Sequence, residues 1–240
     1  MSRARNLRRG LLVTGTDTGA GKTLVTAGLL AGLRAMGYPV KALKPVESGT
    51  AESGGVPADA ALLAACAGAE SWSEVNVIAL REPLAPSVAA AREGVSLSIE
   101  PLDEAVAAVS QEDSLIIEGV GGALVEVADG VVVADLPVRW GLAALVVAAN
   151  RLGVLNHAML TVDSLRARKA AIAGVVLNTV HGGEPTVAEQ TNAAELARLL
   201  PSDVPFLGTI PFVPEEQRSH AEALAAVTRD TTTALLAWTR

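Results

Sequence analysis

Thr14-Gly15-Thr16-Asp17-Thr18-Gly19-Ala20-Gly21-Lys22-Thr23 places a glycine-rich turn between an apolar strand and an apolar helix. Upstream, Leu11-Leu12-Val13 has the pattern of a short buried strand, and downstream Leu24, Val25, Ala27, Leu29, Leu30 and Leu33 continue as a helix to about Gly37. In that context glycines let backbone N–H groups turn inward, and the helix N-terminus offers roughly half a unit of positive charge to an anion. Lys22 is placed to reach the terminal phosphates of a nucleotide triphosphate, and the Thr23 hydroxyl to take one position on Mg²⁺. The stretch therefore has the form of a P-loop. Five residues separate Gly15 from Gly21 where the common pattern has four, so Thr16 stands at the usual first-glycine position. The assignment rests on Gly19 to Thr23 and their flanks.

Outward from this turn, strand and helix alternate. Val40 to Leu43 is expected as a strand ending at Lys44-Pro45, which puts Lys44 on the same carboxyl rim as the P-loop. A polar loop from Glu47 through Ser48 to Gly55 follows, then a helix from Asp59 to about Ala67. Asn76 to Leu80 is a short strand, Ser87 to Glu93 and Asp103 to Gln111 are helical, and Ser114 to Ile117 is a buried strand stopping at Glu118-Gly119-Val120-Gly121-Gly122. Asp129-Gly130 between two valine-rich segments, 125 to 127 and 131 to 133, predicts a tight hairpin. Ala143 to Ala148 is a fully apolar strand that leads into Asn150 and a helix whose Leu155, Met159, Val162 and Leu165 share one face. Ile172 to Leu177 ends at Asn178; then come a helix from Glu184 to Leu200, a strand from Pro205 to Ile210, and one closing helix from Ser219 to Trp238. The order predicts an α/β fold of the P-loop NTPase type: a single domain over residues 1–240, with a mainly parallel sheet and helices on both faces.

Half of the 240 residues are apolar, enough for a large core, and the net charge of −7 argues against a general nucleic-acid or membrane-surface binder. The single cysteine, Cys66, leaves no disulfide framework or thiolate cluster and suits a reducing cytoplasm. Arg3, Arg5, Arg8 and Arg9 are expected in a solvated basic tail over residues 1–9.

Four strand ends thus bring polar groups to one rim: the P-loop, Lys44 with Ser48, Glu118 with its glycines, and Asn178. Phosphoryl transfer depends on positioning and on cations around the phosphoryl oxygens, and Lys22, Lys44 and a Mg²⁺ held near Glu118 would supply them. Asp59 fits the same role or that of a first-turn carboxylate favoured by the helix dipole. His157 fits a packed or capping position better than that of a base.

Taken together, Gly15 to Thr23, Lys44-Pro45-Val46-Glu47-Ser48-Gly49, Glu118 to Gly122 and Leu152-Gly153-Val154-Leu155-Asn156-His157 resemble the dethiobiotin synthetase family. The resemblance implies ATP- and Mg²⁺-dependent ring closure of 7,8-diaminononanoate with carbon dioxide in a cytoplasmic homodimer, with neither nucleic acid nor membrane as partner. It implies that Lys44, Lys22 and Thr18 take part in catalysis. Nucleotide binding falls to Gly19, Ala20, Gly21, Lys22, Thr23, Leu24, Asp59, Glu118, Gly119, Gly121, Asn178, Pro211, Phe212 and Val213. Thr23, Asp59 and Glu118 surround the metal, and Asn178 reads adenine. The substrate meets Thr18, Lys44 and Ser48, and its carboxylate meets Leu152, Gly153 and Asn156 of the neighbouring subunit.

Two departures stand out. Gly19 occupies a position that carries glutamate in some members, and Glu215, Glu216 and Arg218 could each supply the nucleotide contact expected after the Pro-aromatic pair. The competing reading is a partitioning-type switch ATPase, whose signature lysine early in the loop is replaced here by Asp17; Arg229 and Arg240 are too few to make the closing helix basic. A ligase acting on another amine or carboxylate is a third alternative.

Overall fold

The computed structural model describes residues 10–110 and 112–238. The basic tail, Gln111 and Arg240 therefore lie outside the described residues. The elements run β1 (Leu11–Gly15), α1 (Lys22–Ala35), β2 (Val40–Ser48), α2 (Ala58–Ala67), β3 (Asn76–Leu80), α3 (Pro86–Glu93), α4 (Glu100–Ala107) and β4 (Ser114–Gly122). They continue with β5 (Glu126–Ala128), β6 (Val131–Val132), α5 (Leu136–Trp140), β7 (Ala143–Ala149), α6 (Val154–Ala167), β8 (Ala171–Asn178), α7 (Val187–Leu199), β9 (Phe206–Ile210), α8 (Ala221–Val227) and α9 (Arg229–Trp238).

Seven strands form one sheet in the order β3-β2-β4-β1-β7-β8-β9, and each neighbouring pair is parallel. Side chains alternate across it as the period of two requires. On β7, Ala143, Leu145, Val147 and Ala149 join the layer containing α1, α2, α8 and α9, while Ala144, Val146 and Ala148 pack with α6 and α7. Leu12 and Ile117 face a third cluster with α3, α4 and α5. Covered on both faces, these strands have no need of a polar side, which is why they appear in the sequence as unbroken apolar runs.

The β5–β6 hairpin is antiparallel, and Asp129 and Gly130 both have positive φ (47° and 76°), as a two-residue turn of this hand demands. On the other side of the molecule, α1 presents Gly28 and Gly32 to α8 and α9. A Cβ on Gly28 would come within 2.5 Å of Thr228 Cγ2, and one on Gly32 within 3.2 Å of Thr232 Oγ1. Both threonine hydroxyls donate back along their own segment, to Leu224 O and Thr228 O at 2.9 Å each, so neither is stranded where the helices meet.

Several boundaries differ from expectation. Strand β2 does not stop at Lys44-Pro45: it parts from β4 after Leu43 but stays paired with β3 from Lys44 to Ser48. Lys44 thus lies inside a strand, at the point where that strand leaves its inner neighbour. Glu47 and Ser48 belong to this strand rather than to a polar loop, and Thr50–Ser53 forms a 3-10 turn. Strand β4 continues through Glu118 to Gly122. Helix α4 begins earlier than Asp103, with Pro101 in its first turn, and ends at Ala107. Helix α7 starts at Val187, where Thr186 and Glu189 form a capping box. The closing helix is two, broken at Thr228.

Candidate functional site

Beside β1, the middles of β2 and β4 and the first turn of α2 converge on a largely buried charge cluster. Lys44, 2% exposed, donates from Nζ to Asp59 Oδ2 at 2.8 Å and to Glu118 Oε1, with Gly119 O at 3.5 Å. Each group comes from a different element: Lys44 from β2, Asp59 from the first turn of α2, Glu118 from β4 beside Val13 of β1. Thr23, in the first turn of α1, donates its hydroxyl to Glu118 Oε1 at 2.9 Å and lies against Asp59 as well. The second oxygen of Glu118 is buried and has no hydrogen-bond partner among the described residues.

These contacts set the charges. Burial works against the Lys44 ammonium, but the Glu118 and Asp59 carboxylates outweigh it and hold its pKa above the ordinary lysine value. Burial also works against the Asp59 carboxylate, and Lys44 overcomes it, keeping the group below its ordinary range. At fully buried Glu118, burial prevails over the pull of Lys44 and raises the pKa. Burial lowers the pKa of Lys22, with Glu118 opposing. Lys44 is therefore a fixed cation and hydrogen-bond donor, unsuited to act as a base.

Gly21 has φ 88°, and a Cβ there would sit 2.0 Å from Asn178 Nδ2, so glycine is required both by the backbone and by its neighbour. Asn178 in turn donates from Nδ2 to Ala20 O at 3.0 Å, while its Oδ1 is buried without a partner. It thus props the P-loop and keeps one acceptor uncommitted. Beside it opens a cavity of about 420 Å³, walled by Gly19, Gly21, Thr23 and Leu24 on one side, Asp59 and Leu62 on another, and Asn178, Val213 and Arg218 on the third. Arg218 donates from Nε to Val213 O at 2.9 Å, and its guanidinium lies 5.6 Å from the Phe212 ring centroid. Of the three residues left open by the sequence, Arg218 is the one that reaches this wall; Glu215 and Glu216 stand in an exposed 3-10 turn. Phe212 is half-buried and Pro211 exposed.

A second cavity, about 410 Å³, lies on the other side of the P-loop and is lined by Thr16, Asp17, Thr18, Gly122, Leu124 and His157 among others. The Thr18 amide donates to Asp17 Oδ1 at 2.7 Å, and Asp17 Oδ2 accepts from Arg151 Nη2 at 3.1 Å, tying the loop to the turn before α6. Leu152 and Gly153 on that turn and Asn156 in the first turn of α6 are exposed and line neither cavity, nor does half-buried Ser48 at the end of β2. Buried Asn192 on α7 braces the turn, donating to Asn150 Oδ1 at 2.9 Å and Arg151 O at 3.2 Å. No local sequence signal marks Asn192, because its partners are about forty residues away.

No group of three or more His, Cys, Asp and Glu side chains that could hold a metal ion occurs among the described residues. What the site offers a hard cation is two carboxylates and a hydroxyl, a set suited to an ion that takes its remaining ligands from phosphates and water.

A family model described as an AAA domain matches residues 9–219. The ATP-dependent dethiobiotin synthetase BioD of Anaeromyxobacter sp. (strain Fw109-5) is 42% identical over 194 residues, 80% of this chain and 85% of that protein. Its namesake from Anaeromyxobacter dehalogenans (strain 2CP-C) is 40% identical over 221 residues, covering 91% of this chain and 96% of the relative. Among solved structures, a ParA family ATPase from Chlorobium tepidum TLS superposes with a TM-score of 0.53 over 98% of both chains at 12% identity, which establishes a shared P-loop NTPase fold and no more. With that fold, the P-loop cluster at its centre and this level of identity along most of its length, the chain belongs to the ATP-dependent dethiobiotin synthetase family.

Proposed function

We propose that the chain, acting as one P-loop ligase domain, uses ATP and Mg²⁺ to close a cyclic urea from 7,8-diaminononanoate and carbon dioxide, giving dethiobiotin, ADP and phosphate. The observation that carries the proposal is the buried Lys44 ammonium set between Asp59 and Glu118, beside Lys22 and Thr23 of the P-loop. One substrate amine adds to carbon dioxide and loses a proton to become a carbamate. A carbamate oxygen attacks the γ-phosphorus, and the bond to ADP breaks with its electrons on ADP. The second amine then attacks the carbon of this carbamic-phosphoric anhydride and gives up a proton to the departing phosphate, which leaves with the C–O pair.

Negative charge gathers at one place through the transfer, and the chain meets it with fixed cations. Lys22 and the amides of Gly19, Ala20, Gly21, Thr23 and Leu24 bind the phosphates. Lys44 holds the carbamate and the transferring phosphoryl group, and Thr18 and Ser48 contact the substrate. The unpartnered buried oxygen of Glu118, whose other oxygen accepts from Thr23, fits Mg²⁺, and Glu118, Asp59 and Thr23 would hold it. When bound, the ion neutralises charge on the phosphates. Asn178 Oδ1 would accept the exocyclic amine of adenine, with Gly119 and Gly121 near the phosphates and Pro211, Phe212 and Val213 lining the base.

The protein is proposed to work in the cytoplasm as a homodimer, Leu152, Gly153 and Asn156 meeting the substrate carboxylate in the neighbouring subunit's site at the N-terminus of α6. The exposure of Leu124 (63%) and Leu160 (60%) in the second cavity's lining, and of Leu152 (87%) just before α6, supports a covered face there. No described helix is long and apolar enough to cross a membrane. The test is mass spectrometry of a reaction containing the protein, ATP, Mg²⁺, bicarbonate and 7,8-diaminononanoate. Dethiobiotin formed in step with ADP is the expected result; ADP without a ring product would refute it and favour a switch ATPase or a ligase acting on another substrate.

A further inference from the structure

Helix α2 starts without a local cap. Pro57 holds the N-cap position and supplies no side-chain acceptor, leaving the first amides of the helix in need of one. The acceptor comes from β2. Glu47, 6% exposed, takes the Asp59 amide on Oε1 at 2.9 Å and the Ala60 amide on Oε2 at 3.0 Å. A carboxylate gripping two N–H groups at a helix N-terminus gains from both the charge-assisted bonds and the helix dipole.

The same short run of β2 carries Lys44, whose Nζ bonds the side chain of Asp59 at 2.8 Å. A closed ring results: Lys44 to the Asp59 carboxylate, the Asp59 amide to Glu47, and the strand from Glu47 back to Lys44. Without the Glu47 link, the Lys44–Asp59 pair would be the one side-chain hydrogen bond left between the first turn of α2 and β2 among the described residues, and the separation of these two charges would be less closely fixed. Glu47 itself lines neither cavity.

We propose that Glu47 is a positioning residue for the ligase reaction, pinning the start of α2 to β2 so that Asp59 stands at a fixed distance from Lys44, and acting on turnover only through Asp59. The inference rests on the function proposed above. Its chemistry calls for two acceptor oxygens. Glutamine keeps the shape but offers one acceptor and sets an NH₂ against the other amide, so Glu47→Gln should lie between wild type and Glu47→Ala.

The test is a double-mutant cycle on the full chain with Glu47→Ala, Glu47→Gln, Asp59→Asn and the combined variants, at a temperature where each is folded. Turnover and KM for ATP are measured, together with hydrogen exchange of the Asp59 and Ala60 amides in protein without added nucleotide. Glu47→Ala is expected to lower kcat about tenfold or more and to expose both amides to exchange. In the Asp59→Asn background it should lower kcat by less than about twofold further. Wild-type kcat in folded Glu47→Ala would overturn the proposal, as would an equal additional loss in the Asp59→Asn background, which a purely structural cap would give. If Glu47→Ala does not fold, the Glu47→Gln cycle decides by the same criteria. A wild-type protein that makes no dethiobiotin would sink the proposed function instead, while unchanged exchange at Asp59 and Ala60 would sink the role of Glu47 alone.

Discussion

Replacing Lys44 by alanine removes the cation that hydrogen-bonds both Asp59 and Glu118. Glu118 is 0% exposed; without Lys44 it keeps the Thr23 hydroxyl as a side-chain donor, and its second oxygen already lacks a partner among the described residues. Removing one member of a buried ion pair leaves the other charge uncompensated and costs about 3–5 kcal/mol. For a chain of 240 residues, at about 2–4 °C of melting temperature per kcal/mol, the drop should be roughly 6–20 °C. The loss should depend on pH. In wild type the Asp59 pKa is depressed, so Asp59 contributes stability above its unfolded pKa, and that contribution disappears with Lys44. In the variant the Glu118 pKa, raised by burial, loses the ammonium that opposed the rise. A carboxyl whose folded pKa is raised contributes stability below its unfolded pKa and loses it as pH rises through the folded value. The Asp59 contribution is already complete by pH 5, so between pH 5 and pH 7.5 the change comes from Glu118, and calorimetry should find a larger deficit at pH 7.5 than at pH 5. Adding Glu118→Gln should return about half of it. Equal deficits at the two pH values, or no recovery in the double variant, would refute the electrostatic account of the cluster.

Lys22→Ala, measured by steady-state turnover with the fold checked by circular dichroism, should lower kcat by roughly a hundredfold or more, because the P-loop lysine acts on charge that develops in transfer. Unchanged turnover would remove Lys22 from the phosphate site. Cys66 is buried and its thiol is pushed up to about 11, by burial first and against the pull of Arg34. At pH 8 about one thiol in a thousand is then ionised, so alkylation of the folded protein should be far slower than of the unfolded chain. Equal rates would show that the segment around α2 opens readily.

Much of this was visible in residues alone where local chemistry decides. The strands from Leu11, Ser114, Ala143 and Ile172 are legible because burial on two faces leaves an apolar run, and Asp129-Gly130 marks its hairpin by the positive φ that it tolerates. Pro45 misleads as a terminator because it lacks an N–H, yet the strand there has already left β4 and pairs only with β3. Helix α5, Leu136–Trp140, is too short to display a helical period. The break at Thr228 depends on tertiary packing, where threonine hydroxyls bond their own backbone opposite the glycines of α1. Lys44 and Glu118 could be placed on one rim from strand ends and Asp59 at a helix start, but the ring through Glu47 could not be seen, because its closing bonds span twelve and thirteen residues.

The contact of Gly28 and Gly32 with Thr228 and Thr232 gives α1 a fulcrum. Lys22 stands six residues before Gly28, about 9 Å along the axis at 1.5 Å per residue. A tilt of about 5° about that point would swing the first turn of the helix by about 0.8 Å, beyond the roughly 0.5 Å within which a site must be held. The two threonines therefore work as a bearing: by leaving the glycine face no clearance, the far end of the chain limits how far the phosphate loop can swing.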